Sequence, residues 1–184
     1  MLLWLSRLLI GGLTLLYPLA VYWALTRGGV SMAVLALVPI AVIHLVRAAQ
    51  GNAVSWVWFA LCLMLGAWTW LAQSSLGVKA YPVLVSGGLL LVFVWTLVYP
   101  PTAIERLAKL REPALPPSGV RYTRHVTWVW VGFFAINGSI AAATLWAEDY
   151  VWALYNGLIS YLLMGALFLG EFLFRQRYRR RQND

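Results

Sequence analysis

The sequence predicts an all-α fold, a polytopic transmembrane bundle of six helices with both termini in the cytoplasm. Three observations predict it: an apolar excess that water could not tolerate, six apolar runs of membrane-crossing length, and basic residues that gather in alternate connections. Of 184 residues, 62% are hydrophobic and 11% charged. Soluble domains average about 45–50% apolar and about 25% charged. A soluble domain of about 150 residues buries only about 70% of the surface its unfolded chain exposes, so lipid must act as solvent for much of this chain. Six helices of about 20 residues consume roughly two-thirds of it, and a single membrane domain over residues 1–184 accounts for the whole.

The apolar runs fall at 8–25, 30–46, 54–72, 81–98, 126–146 and 152–174. Each is close to the length needed to cross about 30 Å of hydrocarbon. The first run has one preceding charge, Arg7, and no clean small-x-small cleavage site, which favours a retained first helix over a signal peptide. The second is the shortest and contains Pro39, so a tilted, kinked or partly re-entrant helix is expected there. Pro18 and Pro82 also fall in or at the edge of runs, in the paired dipeptides Tyr17-Pro18 and Tyr81-Pro82. Membrane helices tolerate such breaks when neighbours or local adjustments satisfy the freed carbonyls.

Orientation follows from the basic residues. With the N-terminus inside, the inner segments hold Arg7, Arg47, then Arg106, Lys109, Arg111, Arg121 and Arg124, and finally Arg175, Arg177, Arg179, Arg180 and Arg181. The outer connections hold only Arg27 and Lys79. Twelve against two is a strong positive-inside bias and places the protein in a bacterial-type inner membrane. Ten of the eleven tryptophans lie near run ends, Trp4 being the exception, as indoles do at headgroup depth. The net charge of +8 is spread between and after apolar runs, a distribution that argues against nucleic acid as a partner.

The segment 99–125 is the longest polar stretch. Thr102-Ala103-Ile104-Glu105 reads as a capping box opening a short helix, with Glu105, Arg106 and Lys109 facing water and Glu105 four residues before Lys109 in the favourable order. Pro113, Pro116 and Pro117 are expected to keep the chain extended until Arg121. The segment reads either as a docking platform for a cytoplasmic partner or as a stiff return loop. Arg121, Arg124 and Trp128 share one helical face, with His125 beside them. They suit a phosphate-bearing head group, and serve equally as topogenic charge. The basic tail, 175–184, is a stop-transfer cluster that would also attract anionic lipid.

Within the runs, Asn137 is costly in lipid unless bonded across a helix interface or facing a substrate cavity. Glu171, near the inner end of the last run, is expected to pair with a nearby arginine, with a proton-relay role as the alternative. His44 is read as a satisfied interfacial histidine. Glu148 and Asp149 sit in an outer connection with nothing basic nearby in sequence. Two histidines and one cysteine do not make a typical zinc site, and no Gly-rich phosphate loop follows a strand. No metal, cofactor or catalytic residue is therefore assigned, and the chain leans away from being an enzyme.

Four segments carry a resemblance: Tyr81-Pro82-Val83-Leu84-Val85-Ser86, Pro100-Pro101-Thr102-Ala103-Ile104-Glu105-Arg106-Leu107, Leu115-Pro116-Pro117-Ser118-Gly119-Val120-Arg121-Tyr122-Thr123-Arg124 and Trp152-Ala153-Leu154-Tyr155-Asn156-Gly157-Leu158-Ile159. Through them the chain resembles an uncharacterised family of small bacterial inner-membrane proteins that accompany aryl-polyene and acyl-carrier-protein gene clusters. Through 128–137 and 152–171 it is more loosely similar to the intracellular septation protein A family. The resemblance implies a cell-envelope setting and cytoplasmic acyl-chain biosynthetic enzymes as partners, but no reaction. The leading expectation is a non-enzymatic scaffold using the 100–124 loop and the basic tail. The alternatives are a transporter or flippase component with Asn137 and Glu171 at a cavity, and a membrane enzyme using Arg121, Arg124 and His125 on a phosphate-bearing lipid.

Overall fold

A backbone in hydrocarbon has no water to bond, and helices satisfy their N–H and C=O groups within one segment. The computed structural model describes the backbone of residues 2–110 and 112–183 and the side chains of residues 11–110 and 112–176. It is all-α, with no strand among the described residues. The elements are α1 (Leu2–Ala33), a 3-10 turn (Val34–Leu37), α2 (Val38–Ala49), α3 (Ala53–Ala72), α4 (Leu76–Lys79), α5 (Tyr81–Val98), α6 (Ala103–Lys109) and α7 (Pro117–Ala143). A second 3-10 turn (Thr144–Trp146), α8 (Asp149–Leu154), a π-helical turn (Tyr155–Ile159) and α9 (Ser160–Asn183) complete them.

Five helical stretches are long and apolar enough to cross a bilayer: Gly11–Ala49, Ala53–Ala72, Leu76–Val98, Pro117–Trp146 and Asp149–Gln176. The chain is an integral membrane protein. The first stretch has 39 residues, about 58 Å if straight at 1.5 Å per residue and so about twice the hydrocarbon thickness. It is not straight. Gly29 sits at φ 69°, ψ −163°, a region open essentially to glycine alone, and the chain doubles back there. Tyr17 and Pro39, which would lie about 33 Å apart on a continuous helix, line the same small hollow. The reversal divides the first stretch into two helical segments that pack against one another.

The chain divides into two compact units: Met1–Pro82 with Ala141–Tyr161, and Val83–Ile140 with Leu162–Asp184. In the first, each proline break has an identifiable remedy. A proline at position i leaves the carbonyl at i−4 without its helical donor. Pro18 frees the Thr14 carbonyl, and the Tyr161 hydroxyl donates to it at 2.8 Å. Pro82 frees the Val78 carbonyl, and the buried Tyr17 hydroxyl donates to it at 2.7 Å. Pro39 frees the Leu35 carbonyl, which accepts instead from the Val38 N–H in the 3-10 turn. The paired Tyr-Pro dipeptides thus meet in space, with the Tyr17 and Tyr81 rings 4.7 Å apart. Close helix approach completes the packing: a Cβ on Gly77 would come within 2.7 Å of the Leu65 carbonyl.

Alternate connections also meet in this unit. Tyr22, before the Gly29 reversal, has its ring 6.4 Å from that of Tyr150, and Lys79 reaches Asp149. The segments around Tyr22, Lys79 and Asp149 therefore lie at one end of this unit.

The second unit is built on aromatic packing. Val126, Trp130 and Phe134 form its buried centre, with Phe93, Ile104, Phe133 and Met164 against them. Asn137 Nδ2 donates to Ser86 Oγ at 3.2 Å, joining α7 to α5. A Cβ on Gly138 would lie 3.2 Å from Ser86 Cβ, so the small residues let the backbones come close enough for that bond.

One expectation about extent is corrected. The chain after Pro116 is not extended to Arg121; α7 starts at Pro117, because proline's missing N–H costs nothing in a first helical turn. Beyond the last apolar run, α9 continues as helix to Asn183. The tryptophans also divide. Trp130 and Trp152 are buried in the units rather than placed at a surface, whereas Trp23, Trp68, Trp70, Trp95, Trp128 and Trp146 are exposed.

Candidate functional site

The second unit contains an open hollow of about 1420 Å3 beneath α6, between the first turns of α7 and the last described turns of α9. Local chemistry fixes its roof. The Thr102 hydroxyl accepts the Glu105 N–H, and the Glu105 carboxylate accepts the Thr102 N–H at 3.3 Å, so the capping box is complete. The Ala103 N–H donates to Thr96 Oγ1 at 2.9 Å, tying α6 to the end of α5. Lys109 pairs with Glu105 at 2.7 Å, and Arg106 Nε donates to the Pro101 carbonyl at 2.9 Å.

Glu105 does not face water. It is 5% exposed, because its carboxylate must turn inward to reach the Thr102 N–H. Arg106 is exposed and Lys109 half-buried, as their snorkelling stems allow. Leu107 and Leu110 are exposed at 60% and 81%, giving α6 an apolar side that would rest in lipid.

The walls of the hollow are apolar, from Leu115, Val126, Trp130, Phe168, Leu169 and Phe172, and its polar groups include Glu112, Tyr122, Glu171 and Arg175. Trp130 and Phe168 pack with centroids 4.5 Å apart. Among the described residues, Glu171 takes its bond from the Tyr122 hydroxyl, which donates to Oε1 at 3.4 Å. Arg175 lies one turn further along the same helix and forms no ion pair with it.

The other expected residues lie elsewhere. Arg121, Arg124, His125 and Trp128 are all exposed on α7 at spacings that make a single stripe. His125 Nδ1 lies 2.8 Å from the Arg121 carbonyl, a bond within the helix. Asn137 is buried against Ser86 and does not line the hollow, so it is not brought together with Glu171. His44 is buried, stacks on Trp58 at 6.1 Å, and its Nδ1 has no hydrogen-bond partner among the described residues. The side chains of Arg7, Arg177, Arg179, Arg180 and Arg181, and also Trp4 and Arg111, lie outside the described residues.

One constellation escaped sequence reasoning. Asp149 does have a cation beside it: Lys79, 3% exposed, holds it at 2.6 Å. Lys79 Nζ also donates to the Ala147 carbonyl at 3.1 Å, and the fully buried Trp152 indole donates to the Lys79 carbonyl at 3.1 Å. Asn156 extends the network, donating to Trp152 O and Thr144 Oγ1. The signal available was the isolation of Lys79 and Asp149 as opposite charges in two connections assigned to one side.

No family model matches the chain, and neither a curated protein nor a solved structure matches it.

Proposed function

We propose that this protein is a non-enzymatic accessory of the bacterial inner membrane that holds an anionic, acyl-chain-handling cytoplasmic partner at the bilayer. The observation that carries the reading is the exposed stripe Arg121, Arg124, His125 and Trp128 on the opening turns of α7. A basic stripe on a rigid helix loses little freedom on binding, whereas the same charges on a loop must first be ordered. The positive-inside bias supports a cytoplasmic position for this face. The sequence resemblance to proteins of aryl-polyene gene clusters supports the acyl-chain context.

The test is co-purification in mild detergent of wild type and the triple variant Arg106→Ala, Arg121→Ala, Arg124→Ala. All three side chains are exposed, and Glu105 is left intact so that α6 keeps its cap. Partner capture should fall at least tenfold with insertion and abundance unchanged. Capture that persists at the wild-type level would refute the reading.

A further inference from the structure

The hollow of the second unit is too large and too apolar to be explained by a basic docking stripe, none of whose four residues lines it. Small-molecule sites usually occupy about 300–1,000 Å3, so about 1420 Å3 leaves room for a long-chain amphiphile. The apolar wall offers that chain Leu115, Val126, Trp130, Phe168 and Phe172. Polar groups at the same site select the head. Glu171 and Arg175 stand one helical turn apart on α9, about 6 Å along the axis. Both are half-buried and both line the hollow. Neither forms an ion pair among the described residues. Leu173 and Phe174 between them are exposed, and the basic residues that follow put this turn near the end of the apolar stretch.

A carboxylate and a guanidinium side by side complement a zwitterion. A purely anionic head would satisfy Arg175 but bring its charge toward Glu171, which lines the same site. A neutral amphiphile would leave the two half-desolvated charges only each other as counter-charge. A head with an ammonium two carbons from a phosphate matches both at once. The guanidinium fork would take the phosphate oxygens, and the ammonium would lie on the carboxylate oxygen that Tyr122 does not occupy.

We propose that this hollow is a binding site for a phospholipid of the phosphatidylethanolamine type, its phosphate on Arg175, its ammonium on Glu171 and an acyl chain on the Trp130–Phe168 wall. The site does not depend on the partner proposed above.

Native mass spectrometry of protein exchanged into equimolar phosphatidylethanolamine and phosphatidylglycerol tests it without any partner present. Wild type should retain phosphatidylethanolamine at least fivefold over phosphatidylglycerol. Glu171→Gln and Arg175→Gln should each remove that preference, with Arg175→Gln lowering total lipid retained. Because a variant could fail to fold, a second measurement uses the unaltered chain. Phosphatidylethanolamine with a photoreactive acyl chain should crosslink within 115–130 and 168–176. No preference in wild type, a preference kept by both variants, or crosslinks confined to other segments would each overturn the assignment.

Discussion

The Tyr17 hydroxyl offers the most direct test of how this fold tolerates proline in its crossings. Tyr17→Phe keeps the ring, and with it the contact to Tyr81 at 4.7 Å, but deletes the donor to the Val78 carbonyl. That carbonyl has no helical donor because residue 82 is proline, and Val78 is fully buried while Tyr17 is 2% exposed, so water does not replace the lost bond. An orphaned buried acceptor costs about 1–3 kcal/mol. Side-chain bonds measured between membrane helices average only about 0.6 and reach about 1.7 kcal/mol, because partners can rearrange. Enclosure on this scale leaves little room to rearrange, so a loss of about 2 kcal/mol is expected, read as denaturant or thermal unfolding in mild detergent.

The decisive arm is the background. Pro82→Ala returns an N–H to position 82, within reach of the Val78 carbonyl. In that background Tyr17→Phe should cost less than about 0.5 kcal/mol, a coupling of about 1.5 kcal/mol in the double-mutant cycle. If Tyr17→Phe costs the same in both backgrounds, or nothing in either, then the hydroxyl is not standing in for the missing amide and the account of the proline breaks fails.

Three further outcomes follow from the same geometry. Asp149→Ala should destabilise by about 2–3 kcal/mol by stranding the Lys79 ammonium, whereas Lys79→Met should cost about 1 kcal/mol or less, because it removes the buried charge and leaves a carboxylate that is 41% exposed; calorimetry showing the reverse order would refute this. Asn137→Leu should lower stability by about 1 kcal/mol with Ser86→Ala non-additive to it, and full additivity in detergent unfolding would mean that the bond is not made. Gly29→Ala should cost about 1–3 kcal/mol from its left-handed backbone, measured by thermal unfolding, and a variant as stable as wild type would show that the chain does not reverse there.

How far these features were legible depended on whether their cause was local. The capping box at Thr102 and the Glu105–Lys109 pair rest on residues three and four apart, where sequence spacing sets spatial spacing, and both form as the spacing implies. The apolar runs were equally plain, since about 20 apolar residues suffice to mark a crossing. The break between the runs ending at 25 and starting at 30 was visible too, but not that a single glycine conformation, at Gly29, makes it. For Lys79 the reading failed outright, because its anion lies 70 residues away in another connection.

The Tyr-Pro dipeptides show where that boundary lies. Their repetition was visible, yet nothing in the residues said which carbonyl each tyrosine would reach, because Tyr17 bonds across 61 residues. A membrane chain has few polar side chains to spend, so those it keeps at depth must each answer an identifiable backbone or charge deficit. Asn137, Tyr17 and Tyr161 do so within the fold, by hydrogen bonds to Ser86, Val78 and Thr14. By the same reasoning Glu171 and Arg175 stand out. Tyr122 answers only one oxygen of the carboxylate, and no described ion pair answers the guanidinium. Among the described residues, two half-buried charges of opposite sign, one turn apart on an apolar wall, therefore offer something outside the chain a charge pair to meet.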